Sequence, residues 1–367
     1  MTAASWTVLV RADASLQIGT GHVMRCLTLA DALRRRGARC TFVCRAHDGH
    51  LIGAIKQQGH SIETLPVGAA HAGAGTTSHA HWLGADWLTD AQQTIAALGS
   101  HRPDWIVVDH YALDAAWESA LRPHAGRVLA IDDLADRPHD ADLLVDQNLG
   151  RDAADYAGLV PAGCTVLAGA TFALLRREFA QWRERSLQRR HSPSLRRLLI
   201  TMGGIDLPNA TGAVLQALRA CELPPDCRLS VVMGAAAPWL DQVRSLAALM
   251  PRPTEVLVRV EDMAQQMARS DLAIGAAGGT AWERCCLGLP VLLVVLADNQ
   301  LHGARALEAA GAAMLIGDAA AVERELVPAL ARASAPAMLT RMAEAAAQVT
   351  DGLGADRVAQ RMVDLDA

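Results

Sequence analysis

The chain has 367 residues, of which 51% are apolar and 20% charged, and its formal net charge is −5. At about 150 residues per domain this length implies two domains, and the composition excludes a disordered or collagen-like chain. The negative balance argues against a nucleic-acid or anionic-membrane partner, and Lys56, the only lysine, leaves no phosphate-binding lysine for a P-loop.

Trp6–Ala12 opens the chain as a short apolar run, with no basic stretch before it and no small-residue cleavage site after it. The longest apolar stretch, Val291–Ala297, falls far short of the roughly 20 residues needed to span a bilayer. The eight cysteines have no zinc-site spacing and read as small buried apolar side chains. These features predict a cytoplasmic protein.

In chain order, Trp6–Ala12 reads as a strand, Asp13–Gly21 as a polar loop, and His22–Arg36 as a helix with Gly37 as its C-cap. Arg39–Cys44 and Ile62–Leu65 are further strands around a helix over Gly49–Gln58. The Ala-, Gly- and His-rich stretch Gly68–His81 has no periodicity and reads as a loop with solvated His71, His79 and His81. A helix over Ala85–Leu98 leads to the strand Trp105–Asp109, and a further βα step ends in Val128–Asp132. From Asp133 to Leu175 the pattern is irregular. The Arg-rich segment Gln181–Arg197, containing Ser192-Pro193, reads as the inter-domain linker, with Arg177 and Arg183–Arg197 suggesting a solvated helix and linker. Strands then recur at Arg197–Thr201, Leu229–Met233, Glu255–Val258, Leu272–Gly275 and Val291–Leu296, and Ala-rich helical sequence runs from Ala319 to Asp364.

Alternation of this kind implies parallel sheets covered on both faces. The expected architecture is α/β, with two doubly wound, Rossmann-like domains facing a cleft. Residues 1–190 form the first and 191–367 the second, with the last helix available to pack back on the first.

Ligands of doubly wound sheets bind beyond the carboxyl ends of strands, where loops enter helices. Three glycine-containing loops occupy such places. Gly19-Thr20-Gly21-His22 reads either as a tight turn with a capping histidine or as a backbone approach to ligand with a proton acceptor beside it. The third glycine of a dinucleotide fingerprint is replaced by Met24. Met202-Gly203-Gly204-Ile205-Asp206 follows the same logic, with Asn209 able to cap the next helix. Gly275-Ala276-Ala277-Gly278-Gly279-Thr280 suits a phosphate cradle, and Glu283 one turn later either favours the helix dipole or accepts ribose hydroxyls. Asp109-His110-Tyr111, Asp132-Asp133 and Asp298-Asn299-Gln300 are polar clusters at strand ends. Neighbours on an extended chain point to opposite sides, so Asp132 and Asp133 make a poor chelate.

Taken together, these segments resemble a known family. Arg11-Ala12-Asp13, Ile18-Gly19-Thr20-Gly21-His22-Val23-Met24-Arg25, Asp109-His110-Tyr111, Asp132-Asp133, Asp155-Tyr156 and Gly158-Leu159-Val160-Pro161 look like the UDP-2,4-diacetamido-2,4,6-trideoxy-β-L-altropyranose hydrolase family of pseudaminic acid biosynthesis. The likeness continues through Ala173-Leu174-Leu175-Arg176, Glu178-Phe179, Met202–Asp206, Gly279-Thr280, Trp282-Glu283 and Asn299-Gln300.

The resemblance implies a GT-B fold and release of UDP from an amino-sugar nucleotide, water attacking the anomeric carbon with inversion and without metal or cofactor. It matches His22 to the general base, Tyr111 to a cleft tyrosine and Asn299 to an asparagine near the sugar. Gly278, Gly279, Thr280 and Glu283 match the elements that hold UDP, and Arg176 an arginine facing the substrate. Gly19, Gly21, Gly203 and Gly204 join the expected binding loops. The partner is then a small-molecule UDP-sugar, with no nucleic acid and no membrane. Two rivals are a GT-B glycosyltransferase using a UDP-amino sugar and a nucleotide-sugar binding module without turnover.

Overall fold

A computed structural model describes residues 6–68, 77 and 79–366 and divides the chain into two α/β units. The first runs to Leu174 and takes back the stretch from Gly354; the second is Leu175–Leu353.

The first unit holds seven strands: β1 (Thr7–Ala12), β2 (Arg39–Arg45), β3 (Ser61–Leu65), β4 (Trp105–Asp109), β5 (Arg127–Ile131), β6 (Leu143–Asp146) and β7 (Thr165–Ala168). All pairs are parallel, in the order β3-β2-β1-β4-β5-β6-β7. Every residue of β4 is buried, the mark of a strand covered on both faces. On one face the helix Gly21–Arg34 buries Val23, Cys26, Leu27, Ala30 and Leu33 against β1 and β4. Val23, Leu27 and Leu33 contribute roughly 1.5–3 kcal/mol each, and the smaller Cys26 and Ala30 less. Gly37, at φ +92°, closes the helix end with its N–H on the Arg34 carbonyl.

Behind β1 lies a buried ion cluster. Arg11 bridges Asp13 and Asp90, each at 2.7 Å, Arg45 also reaches Asp90, and the Trp117 indole donates to Asp90 at 3.0 Å. Unpaired, each of these charges would cost several kcal/mol to bury; together they tie β1 and β2 to the helix Trp87–Leu98.

The second unit contains β8 (Arg197–Thr201), β9 (Arg228–Met233), β10 (Thr254–Val258), β11 (Leu272–Ala276), β12 (Val291–Val295) and β13 (Ala313–Asp318), all parallel, in the order β10-β9-β8-β11-β12-β13. Its core joins Leu198, Ile200, Val231, Ile274 and Leu292 to Val214, Leu218, Leu326 and Leu330 of the covering helices. Both sheets reverse strand order at one place, between β1 and β4 in the first and between β8 and β11 in the second. Loops leaving the carboxyl ends of those strands therefore border the ligand crevice of each sheet.

The structure departs from the sequence reading in several places. The irregular stretch after Asp133 contains β6 and β7, and β13 extends the second sheet. Gln181–Arg197 is not a linker. Most of it belongs to the helix Arg177–Arg189; the partly buried Arg183 reaches the carbonyls of Cys286 and Ala347, and the buried Arg190 just past the helix end those of Leu287 and Ser270. That helix joins the second unit, so the first segment of unit one ends at Leu174 where the sequence reading placed position 190. The last helix, Gly354–Asp366, joins the first unit by burying Val358, Ala359 and Met362, while Asp366 accepts from the indoles of Trp6 and Trp105. Of the Gly68–His81 stretch, residues 69–76 and 78, including His71, lie outside the described residues.

Candidate active site

The first site residues gather at the carboxyl ends of β1 and β4. Gly19 stands at φ +80°, a conformation open to glycine, and delivers the chain into the helix Gly21–Arg34. His22 and Arg25, three residues apart, share one helix face and both turn to Asp109 at the end of β4. His22 Nδ1 lies 2.6 Å from Asp109 Oδ1, and Arg25 clamps both Asp109 oxygens, Nε to Oδ2 at 2.6 Å and its terminal nitrogen to Oδ1 at 2.7 Å. A second Arg25 nitrogen reaches Asp133 at 2.8 Å.

This arrangement fixes the imidazole. Burial alone would raise the Asp109 pKa, but the charge of Arg25 and the hydrogen bonds from Arg25 and His22 hold it well below the usual carboxylate range. An ionised Asp109 can only accept, so the proton of neutral His22 sits on Nδ1 and the lone pair on Nε2. The capping alternative for His22 does not describe the helix start, where no side chain caps. Tyr111, buried, sets its ring edge-on to His22 at 4.6 Å and 84°.

Other residues of these clusters are structural. His110 is fully enclosed, accepts the Ala112 N–H at Nδ1, and has its pKa pushed down to about 3, chiefly by burial. Asp132 and Asp133 do diverge: Asp132 meets Arg137 and Tyr156, whereas Asp133 meets Arg25. Among the described residues no group of His, Cys, Asp and Glu could hold a metal ion.

In the second unit, Gly203 follows β8 at φ +85°, and Asp206 and Asn209 accept the first amides of the helix Ala210–Leu218. Thr201 of β8 pairs with Gly275 of β11, which sets the Met202–Asp206 loop beside Ala276–Thr280. Gly275 has no room for a Cβ, which would stand 2.5 Å from Arg284 and 2.9 Å from the Thr201 carbonyl. At Gly204 and Gly279, by contrast, a Cβ would meet no protein atom within 4 Å, so internal packing does not account for those glycines.

The helix Thr280–Cys286 then places Glu283, partly buried, with Oε1 3.5 Å from Arg176. Burial pushes the Glu283 pKa up and Arg176 opposes the shift. Arg176 also pairs with Glu178 at 3.0 Å and lies over the Phe179 ring. Asn299 stands exposed in the turn Asp298–Gln300, whose Gln300 accepts the Leu296 N–H and approaches Gly278.

The structure thus assembles His22, Gly19, Gly21 and Tyr111 in one unit, and Arg176, Gly203, Gly204, Gly278, Gly279, Thr280, Glu283 and Asn299 in the other. The sequence places Asp109 in a strand-end polar cluster but does not pair it with His22 and Arg25; the i, i+3 spacing of His22 and Arg25 is the available signal. His79 also reads as solvated from sequence, whereas the ring packs on Trp82 and Tyr111.

Comparisons with known proteins bear on the fold and on the class of enzyme this chain resembles. Residues 216–358 match the glycosyltransferase family 28 C-terminal domain. The chain is 26% identical, over 80% of its length, to the UDP-2,4-diacetamido-2,4,6-trideoxy-beta-L-altropyranose hydrolase of Campylobacter jejuni subsp. jejuni serotype O:2, covering 93% of that protein. Over 29% of the chain it is 40% identical to the UDP-N-acetylglucosamine--N-acetylmuramyl-(pentapeptide) pyrophosphoryl-undecaprenol N-acetylglucosamine transferase of Sorangium cellulosum, of which it covers 28%. Among solved structures, MurG of Acinetobacter baumannii superposes with a TM-score of 0.69 at 18% identity, over 98% of this chain and 99% of that one. The fold is GT-B, and the resemblance to the hydrolase runs through most of the chain.

Proposed function

We propose that the protein hydrolyses a UDP-linked diacetamido-trideoxy sugar to UDP and the free sugar, with inversion at the anomeric carbon. The observation that carries this reading is the His22–Asp109–Arg25 arrangement, which leaves Nε2 of a positioned imidazole as a proton acceptor at the β1–β4 switch point. The hydrolase relative supports the substrate class.

In this mechanism water attacks C1 as His22 Nε2 takes its proton, a contribution of roughly 10²–10⁴-fold. The bond from C1 to the diphosphate oxygen breaks, and UDP leaves with that electron pair. One water is consumed, and the proton on His22 passes to solvent. A nucleoside diphosphate is a good enough leaving group to need no general acid, so one histidine suffices where glycosidases use two carboxylates. Backbone amides of Gly278, Gly279 and Thr280 stabilise the departing charge. Glu283 accepts from the ribose hydroxyls, Arg176 faces the substrate, and Tyr111 and Asn299 line the sugar.

Incubating the purified protein in EDTA with UDP-2,4-diacetamido-2,4,6-trideoxy-β-L-altropyranose, followed by proton NMR, tests the reading. UDP and an inverted free sugar are expected. A second reading is favoured by the match of residues 216–358 to a glycosyltransferase domain: transfer of the sugar to an acceptor hydroxyl. Unchanged substrate that turns over only when an acceptor is supplied would establish it.

A further inference from the structure

The rings around His22 form a continuous series that the mechanism does not use in full. Tyr111 meets His22 at 4.6 Å and also two partly exposed rings, His79 at 5.2 Å and Trp82 at 5.7 Å, the indole tilted only 30° from the phenol. His79 and Trp82 also meet each other at 4.6 Å. The arrangement is anchored from behind. Leu83 is buried in the core, and the Trp82 N–H donates to the His79 carbonyl at 2.9 Å, which holds the two side chains in one turn. The chain has only 4% aromatic residues, and Trp105, Trp117 and Tyr156 are enclosed in its interior. Burial draws the His79 pKa below its usual value, which favours the uncharged ring.

We infer that His79 and Trp82 form an aromatic wall that recognises the apolar, C–H-rich side of the sugar and sets specificity for a deoxy, acetamido-bearing ring. The inference rests on the UDP-sugar reading and deepens it. Ring faces carry negative charge density and receive polarised C–H groups, and an indole offers the largest such face. A 6-deoxy sugar presents a methyl group where an ordinary hexose presents a hydroxymethyl, and acetamido groups add further methyls. An apolar wall prefers the methyl, because a hydroxyl placed there would lose water without gaining a partner. Such pockets discriminate by about 10–200-fold. His79 and Trp82 touch neither the attacking water nor the diphosphate in this scheme, so their effect falls on sugar binding.

The test compares wild type with Trp82→Ala, Trp82→Phe and His79→Ala. Calorimetry measures affinity for UDP and for UDP-2,4-diacetamido-2,4,6-trideoxy-β-L-altropyranose, and kinetics measures KM and kcat for that substrate and for UDP-N-acetylglucosamine. Trp82→Ala should weaken the diacetamido sugar nucleotide at least tenfold with UDP affinity within twofold, and should narrow its advantage over UDP-N-acetylglucosamine. Trp82→Phe should recover most of the loss, and His79→Ala should show a smaller effect of the same kind. Unchanged affinity in Trp82→Ala would overturn the inference, as would parallel loss for UDP alone or for both sugar nucleotides. Absence of turnover in the wild type would defeat the hydrolase reading alone; the difference in affinity between UDP and the sugar nucleotide would still test the wall.

Discussion

Nδ1 of His22 lies 2.6 Å from Oδ1 of Asp109, although 87 residues separate them in sequence. Strand β1 delivers one and its neighbour β4 the other, so the pairing is a product of the doubly wound topology. In the proposed mechanism Asp109 holds the imidazole in one tautomer and stabilises the imidazolium that would form as water is deprotonated, a division of labour shared with histidine bases paired to carboxylates elsewhere.

Asp109→Asn preserves shape and removes the charge. The expected result is a fall in kcat of about 10²-fold or more, with UDP affinity little changed. Because Arg25 loses a buried partner, the melting temperature should fall as well. Activity near wild type at saturating substrate would remove Asp109 from the account.

Glu283→Ala should have the opposite profile. Loss of a hydrogen-bond acceptor for ribose weakens UDP by roughly 10–100-fold, while the rate of the bound reaction changes much less. Titration of UDP and single-turnover kinetics separate the two effects. A large drop in single-turnover rate at unchanged UDP affinity would mean that Glu283 acts on the chemistry.

Two glycines of one loop predict contrasting phenotypes. Gly275→Ala forces a Cβ against Arg284 and the Thr201 carbonyl and should destabilise by about 1–3 kcal/mol. Gly279→Ala meets no protein atom and should leave the melting temperature within a degree or two, yet weaken UDP at least tenfold if the diphosphate lies against that backbone. Equal effects on stability and on UDP affinity in the two variants would contradict the assignment.

The Tyr156 hydroxyl stands 2.9 Å from both Asp132 and Asp146, and a phenol has one proton to give, so one carboxyl must carry its own. Asp146 is the one: its pKa is raised to about 7, chiefly by burial. Between about pH 4 and pH 7 the folded protein holds this proton and the unfolded chain does not. The group's stabilising contribution is therefore complete below about pH 4 and is lost as pH rises through about 7. Asp146→Asn should remove that slope, so thermal melts at pH 5.5 and 8 should show the wild type losing several degrees relative to the variant. Parallel pH profiles would refute it.

Much of the fold was legible because apolar runs bounded by polar loops are distinctive. Trp105–Asp109 and Arg197–Thr201 coincide with β4 and β8 to the residue. Strands β6 and β7 have four residues each, too short for periodicity to register, and Ala313–Asp318 carries a glycine within it. The roles of Arg183 and Arg190 escape the sequence reading because an arginine that donates to main-chain carbonyls has the same composition as one in water. Glycine and strand-end signals point to His22, Tyr111 and Glu283 as candidates, and the first two meet in the structure at 4.6 Å. The Asp109–Arg25 support and the packing of His79 and Trp82 depend on which strands are neighbours and how a turn is anchored, and one sequence does not carry that.

The most direct test of the account replaces His22 by Asn and by Ala and follows UDP release from UDP-2,4-diacetamido-2,4,6-trideoxy-β-L-altropyranose alongside UDP binding. The account predicts a fall in turnover of about 10²-fold or more, with UDP affinity within twofold of wild type, because the proposal assigns the nucleotide to residues of the second unit. Turnover near the wild-type rate in either variant would contradict it.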